Sequence, residues 1–259
     1  MRRAHDDERL AGAYERGNRM PEPSLRSWAD LIAAPAPRPA PAVLEVGTGT
    51  GMFASALARR AGARVLAVDA SEAMPAEARH HHPHPAVHYV PGTAEALPAP
   101  SASFDLALLS RVVHHLPDRP RAARELARVL RPDGRVAVRT AFREHLDSLV
   151  HTYCPRLRAV DERRFPGEDE PAADFAAGGL DLLGAASFAQ PVTASLTAYH
   201  ARLATRPRSK FTHLTDAEFR DGPARLEAAA RAERATAPEP VLERYDVAVF
   251  TPCGAVAPS

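Results

Sequence analysis

The stretch from Val43 to Gly62, VLEVGTGTGMFASALARRAG, limits what this chain can fold into more than any other. An apolar start runs into glycines at 47, 49 and 51. A segment with Phe53 and Leu57 at helical spacing follows and ends in Arg59, Arg60 and Gly62. The pattern predicts a strand, a tight turn and a helix. Glycines at such a junction remove the Cβ atoms that would keep a ligand away from the helix N-terminus, so a bound small molecule is expected on the turn. Two occupants fail on spacing. The dinucleotide fingerprint Gly-x-Gly-x-x-Gly places its third glycine where Met52 stands, and a triphosphate loop needs Gly-Lys-Ser/Thr, whereas the only lysine of the chain is Lys210.

The same alternation continues downstream. Residues 1–34 read as polar and helical, and Pro35 to Ala42 as a stiff extended connector. Strands are predicted at 43–46, 63–69 (ARVLAVD), 87–90 (VHYV), 104–110 (FDLALLS) and 135–142 (RVAVRTAF). Between them lie a short helix capped by Ser71, the loop HHHPHP, and a helix RPRAARELARVL stopped by the turn RPDG. Strands alternating with helices imply an α/β fold with a parallel, doubly wound sheet. After Phe142 the rhythm breaks. Two further strands, QPVTASL and ERYDVAVF, are separated by helical stretches that run through Arg234. The expectation is a mostly parallel seven-stranded sheet with a helical cap over its C-terminal edge, where open α/β folds bind ligands. Residues 1–40 then form a helical cover and connector, 41–142 the ligand-binding core, and 143–259 the substrate cap and the last two strands. RPRSK, Arg206 to Lys210, falls among the cap helices, either as a spot that attracts a carboxylate-bearing substrate or as a solvated charge run.

Composition narrows the partners. A chain of 259 residues, 45% apolar, can bury a full core. It holds no run of about 18 apolar residues that would span a membrane, and its N-terminus lacks an apolar leader region. A cytoplasmic protein is expected. Basic and acidic residues balance, 33 against 32, which leaves no electrostatic footprint for a nucleic acid. Two cysteines, Cys154 and Cys253, make no disulfide framework, and the contiguous histidines of HHHPHP lack nearby carboxylates or thiols, so no metal is expected.

Glu-x-Gly-x-Gly-x-Gly, Glu45 to Gly51, resembles the first motif of the class I S-adenosylmethionine (SAM) dependent methyltransferases. Further motifs follow in the family's order: Asp69 ending the second strand, GTAEALP at 92–98, SFDLALLSRVVHHLPD, and ELARVLRPDGRVAV. The resemblance covers about residues 43–142 and is closest to the small-molecule, type-11-like members. It implies the Rossmann-like methyltransferase fold, SAM as cofactor with S-adenosylhomocysteine (SAH) as product, and methyl transfer to a small molecule, preferably to a hydroxyl or carboxylate oxygen. N- or C-methylation, a non-methylating cyclase or isomerase on the same fold, and SAM binding without catalysis stay open, as does a homodimer.

By the same resemblance Glu45, Gly47, Thr48, Gly49 and Gly51 carry the cofactor loop, with Glu45 on the amino group. Asp69 takes the ribose hydroxyls, and Ala70 and Met74 flank the adenine. Thr93, Ala94 and Glu95 meet its edge, although many members carry Asp where Thr93 stands. Ser110 and Arg111 lie at the methionine end. Tyr14 and Arg19, in AYERGNRMPEPSL, resemble a cover over the site. His114 follows the fourth strand on the substrate side and is the expected general base, an imidazole that needs little tuning from a pKa near 6.5. His115 orders the loop, and His145, His151, His200 and Tyr153 are further candidates.

Overall fold

The computed structural model describes residues 20–204, 209–233 and 237–254. Seven strands, Ala42–Val46 (β1), Arg64–Asp69 (β2), Val87–Pro91 (β3), Phe104–Ser110 (β4), Leu130–Thr140 (β5), Leu180–Thr193 (β6) and Val241–Pro252 (β7), form one sheet in the order β3-β2-β1-β4-β5-β7-β6. Pairs from β3 to β5 are parallel, and β7 runs antiparallel between β5 and β6. Val43, Leu44 and the run Leu106 to Leu109 are wholly buried, because the central parallel strands are covered on both faces.

Nine helices are described: Glu22–Ala33 (α1), Met52–Ala61 (α2), Met74–His81 (α3), Arg119–Val129 (α4), Leu149–Tyr153 (α5), Arg156–Arg164 (α6), Asp169–Ala177 (α7), Leu196–Ala204 (α8) and Asp216–Ala232 (α9). The first three cover one sheet face through Trp28, Phe53, Leu57 and Ala78. The other face is covered by α4 and α7, through Ala122, Leu126, Val129 and Phe175. Asp118 starts α4 by accepting from Arg121 N at 2.9 Å, and the apolar stripe of the helix faces the sheet. A third core joins α5, α6, α8 and α9 through Val150, Leu157, Tyr199, Phe219 and Leu226. There, a capping box between Thr215 and Glu218 fixes the start of α9.

Several local expectations shift. Ser71 caps no helix: α3 begins at Met74 without a side-chain cap, and Ser71 N donates to Asp69 instead. RPDG lies within β5, which already pairs at Leu130 with Phe104 and shifts register before Leu106. β6 starts at Leu180, well before QPVTASL, and α8 takes the end of that motif. Its small residues Gly184 to Ser187 show no apolar alternation, since β6 is an edge strand that is exposed on both faces from Asp181 to Ser187 and pairs with no strand but β7. The connector at 35–41 bends, with Ala40 at φ 47°, and Arg38 within it pairs with Asp105 and Asp133 at 2.6 and 2.8 Å. The predicted cover of residues 1–19, with Tyr14 and Arg19, and the residues Arg206 and Arg208 of the RPRSK segment lie outside the described residues. Among the described residues no helix is long and apolar enough to cross a membrane, and no cluster of His, Cys, Asp and Glu could hold a metal ion.

Candidate functional site

The glycine turn leaves β1 with Gly47, Gly49 and Gly51 all at positive φ. Two of them are also fixed by close approach. A Cβ on Gly47 would meet Val112 Cγ2 at 2.2 Å, and one on Gly51 would meet the Tyr89 hydroxyl at 2.6 Å. Val68 O accepts from Gly47 N and Thr48 N, which turns the loop over the end of β2. There the Asp69 carboxylate accepts from Gly49 N at 2.8 Å and Ser71 N at 2.9 Å. A carboxylate has about four lone-pair positions, so two remain for further donors.

Glu45 points from β1 beneath the loop and is almost fully buried. It accepts from Thr48 Oγ1 at 2.9 Å and from the backbone of Ala54, in the first turn of α2, where no side chain caps the helix. Burial pushes its carboxyl up to about 8 against the pull of those hydrogen bonds.

A cavity of about 760 Å³ opens above the C-terminal ends of β1, β2, β4 and β5, in the size range of small-molecule sites. One wall carries the loop glycines 47 and 49, then Asp69, Ala70, Met74, Thr93, Ala94 and Glu95. Glu95 Oε1 is buried on this wall without a hydrogen-bond partner. Ser110 and Arg111 line the middle, and the backbone of Arg111 sits at φ 59°, an uncommon conformation for a non-glycine residue. Glu45, Thr48 and Gly51 do not line the large cavity. Glu45 and Thr48 line a smaller one of about 60 Å³ behind the loop, which shares Gly47, Ser110, Arg111 and Tyr245 with the first.

The opposite wall is rich in imidazoles. His114 and His115 form a 3₁₀ turn after β4. The His114 ring lies between His115, 4.1 Å away between centroids, and Phe165 of the loop after α6, at 4.4 Å. Its Nδ1 is buried without a partner. Burial, followed by the charges of His115, Arg111 and Arg164, lowers its pKa to about 2, so it does not titrate near 6.5.

Two other histidines on this wall are backed by carboxylates. Asp246 of β7 meets His145 Nδ1 at 3.0 Å and also accepts from Phe142 N at 2.7 Å and from Ser187 Oγ. An acceptor behind Nδ1 selects the tautomer in which Nε2 is the basic nitrogen. His151 Nε2 meets Asp161 at 2.9 Å, and this pair ties α5 to α6. His200 does not line the cavity. Sequence reasoning had named His145 and His151 only as alternates. It missed their carboxylate partners and Arg139, although an acid or arginine inside an otherwise apolar strand, RYDVAVF or VAVRTAF, is a readable signal.

Residues 44–138 match the model of the family described as Methyltransferase domain. The malonyl-(acyl-carrier protein) O-methyltransferase of Enterobacter lignolyticus is 37% identical over 123 residues, 46% of this chain and 46% of that protein. The ubiquinone/menaquinone biosynthesis C-methyltransferase UbiE of Vibrio campbellii is 39% identical over 67 residues, 26% of each. The chain thus spans from about a quarter to about half the length of these relatives. A crystal structure from Anabaena variabilis, described as an antibiotic-pathway methyltransferase, superposes with TM-score 0.70 at 23% identity over 87% of this chain and 96% of that one, a likeness of fold.

Proposed function

Because this chain belongs to the class I SAM-dependent methyltransferases, through the match of residues 44–138 and through its fold, we propose that it transfers a methyl group from SAM to an oxygen of a small-molecule acceptor held beside His145. The observation that carries this reading is one continuous cavity with a nucleoside-compatible wall on one side and a carboxylate-backed imidazole on the other.

The residues present fit the cofactor. Asp69 keeps acceptor positions for a pair of vicinal hydroxyls, and Glu95 Oε1 is a buried acceptor without a donor, suited to an exocyclic amine. Bound SAM supplies a methyl group already activated on its sulfonium. What is left to the protein is placement, which is worth roughly 7 to 11 kcal/mol when reacting atoms are well aligned, and exclusion of water. Phe165 and Leu146 on the acceptor wall serve the second task.

For a hydroxyl acceptor, His145 Nε2 takes the proton while Asp246 holds the ring through Nδ1 and stabilises the imidazolium. A positioned base of this kind contributes roughly 10²- to 10⁴-fold. His114 packs the floor of the acceptor half as a neutral ring.

The test incubates the protein with SAM and a panel of hydroxyl-bearing small molecules and follows SAH together with acceptor mass. The reading requires SAH formation coupled to a gain of one CH2 on oxygen. Conversion of an acceptor to an isomer of equal mass without SAH would replace it with a cyclase or isomerase, and methylation at carbon or nitrogen would overturn the oxygen assignment.

A further inference from the structure

Arg139, at the end of β5, is 2% exposed, and its guanidinium lies among three aromatic rings. Its Cζ is 3.9 Å from the ring centroid of Tyr245, 4.4 Å from Trp28 and 5.4 Å from Phe53. Arginine carries five N–H donors. Here Nη2 donates to Gln190 Oε1 at 3.0 Å, Nη1 reaches Ser110 Oγ at 3.5 Å, the Tyr245 hydroxyl oxygen is a further acceptor beside the guanidinium, and the buried Nε has no partner. Among the described residues no carboxylate lies within ion-pair distance of it; Glu243, which bears on it electrostatically, accepts from the Tyr245 hydroxyl at 2.7 Å. Both Arg139 and Glu45 line the 60 Å³ cavity behind the glycine loop, which adjoins the large cavity at Gly47, Ser110 and Arg111.

A buried cation short of acceptors and a buried carboxyl on one small cavity are matched by a group that carries both opposite charges. An α-amino-acid zwitterion is such a group, with its ammonium for Glu45 and its carboxylate for the guanidinium. We propose that Arg139 recognises the carboxylate of the cofactor's amino-acid tail and thereby selects donors that carry one. This rests on the reading of the glycine loop and Asp69 as the SAM site. The alternative is a purely structural Arg139, a cationic post that docks α1 through Trp28 and Gln190.

Calorimetry on the full chain separates the two, with SAH and its decarboxylated analogue S-adenosyl-3-thiopropylamine as probes. Wild type binds SAH about 10- to 100-fold more tightly than the analogue, the range for a hydrogen-bonded charge pair. R139M loses about that factor for SAH and keeps its affinity for the analogue, which brings the ratio near one. R139K, a compact charge without the planar fork, falls between the two and serves if R139M does not fold. A cooperatively melting R139M, or failing that R139K, with the wild-type ratio overturns the assignment, as does an equal loss for both probes. Wild type that binds neither probe overturns the SAM site itself along with it.

Discussion

Replacing Glu45 by glutamine removes an ionisation from the interior while leaving an oxygen to accept from Thr48 and Ala54. The carboxyl is displaced from 4.5 to about 8 by burial, a gap worth roughly 5 kcal/mol at about 1.4 kcal/mol per pH unit. The raised value fixes the sign. Below about pH 4.5 both folded and unfolded chains hold the proton, and the folded state bears no penalty. As pH rises toward 8 the unfolded chain releases it and the folded one keeps it, so stability falls; above 8 the full penalty stands. Urea denaturation of ligand-free protein should show wild type losing about 3 to 4 kcal/mol more than Glu45→Gln between roughly pH 5 and pH 8. A ligand ammonium reverses the burial effect, so SAH binding near neutral pH should release a proton from wild type and not from the variant. The dependence of calorimetric heat on buffer ionisation enthalpy reads that release. Stability curves that run parallel across the range would refute the account of Glu45.

Three further outcomes are expected. Asp69→Ala should weaken SAH binding by about 10-fold or more, through loss of both the proposed ribose acceptor and the clamp on Gly49 and Ser71; calorimetry giving an unchanged affinity removes Asp69 from the site. His145→Asn and Asp246→Asn should each lower kcat by roughly 100-fold with SAH affinity intact, whereas His114→Phe should leave kcat within a few-fold; the opposite pattern in steady-state kinetics returns the base to His114. Gly51→Ala, at φ 85° and against the Tyr89 ring, should cost about 1 to 3 kcal/mol, and an unchanged Tm would contradict the closeness of that contact.

The parts of the site legible in sequence are those made by neighbours along the chain. The glycine turn, Asp69 at the end of β2 and the pair His114–His115 after β4 each announce themselves within a few residues, because strand ends on a parallel sheet face one edge. The histidine-rich wall is made by partners far apart: His145 and Asp246 are 101 positions from one another. Charge within an apolar strand marks Asp246 and Arg139, yet Asp105 in FDLALLS has the same mark. That residue serves the opposite edge of the sheet, accepting from Ala42 N at 2.8 Å and pairing with Arg38 and Arg131. Residue type in a strand signals a burden to be satisfied, and only the register says by whom. Burial, equally invisible in sequence, turns His114 from a titrating imidazole into a neutral ring.

The position of β7 sets an order in time. It lies between β5 and β6, and β6 touches no other strand. During synthesis β6 therefore emerges with no edge to join until the strand that follows it is made, and meanwhile β5 waits with one side bare. The same late strand brings Glu243, Tyr245 and Asp246. A nascent chain that has not yet reached Val241 already holds the glycine turn, Asp69 and His145, but not the carboxylate that orients that imidazole. On the reading proposed above, the carboxylate behind that imidazole and the Tyr245 ring against Arg139 are the last parts of the site to be made.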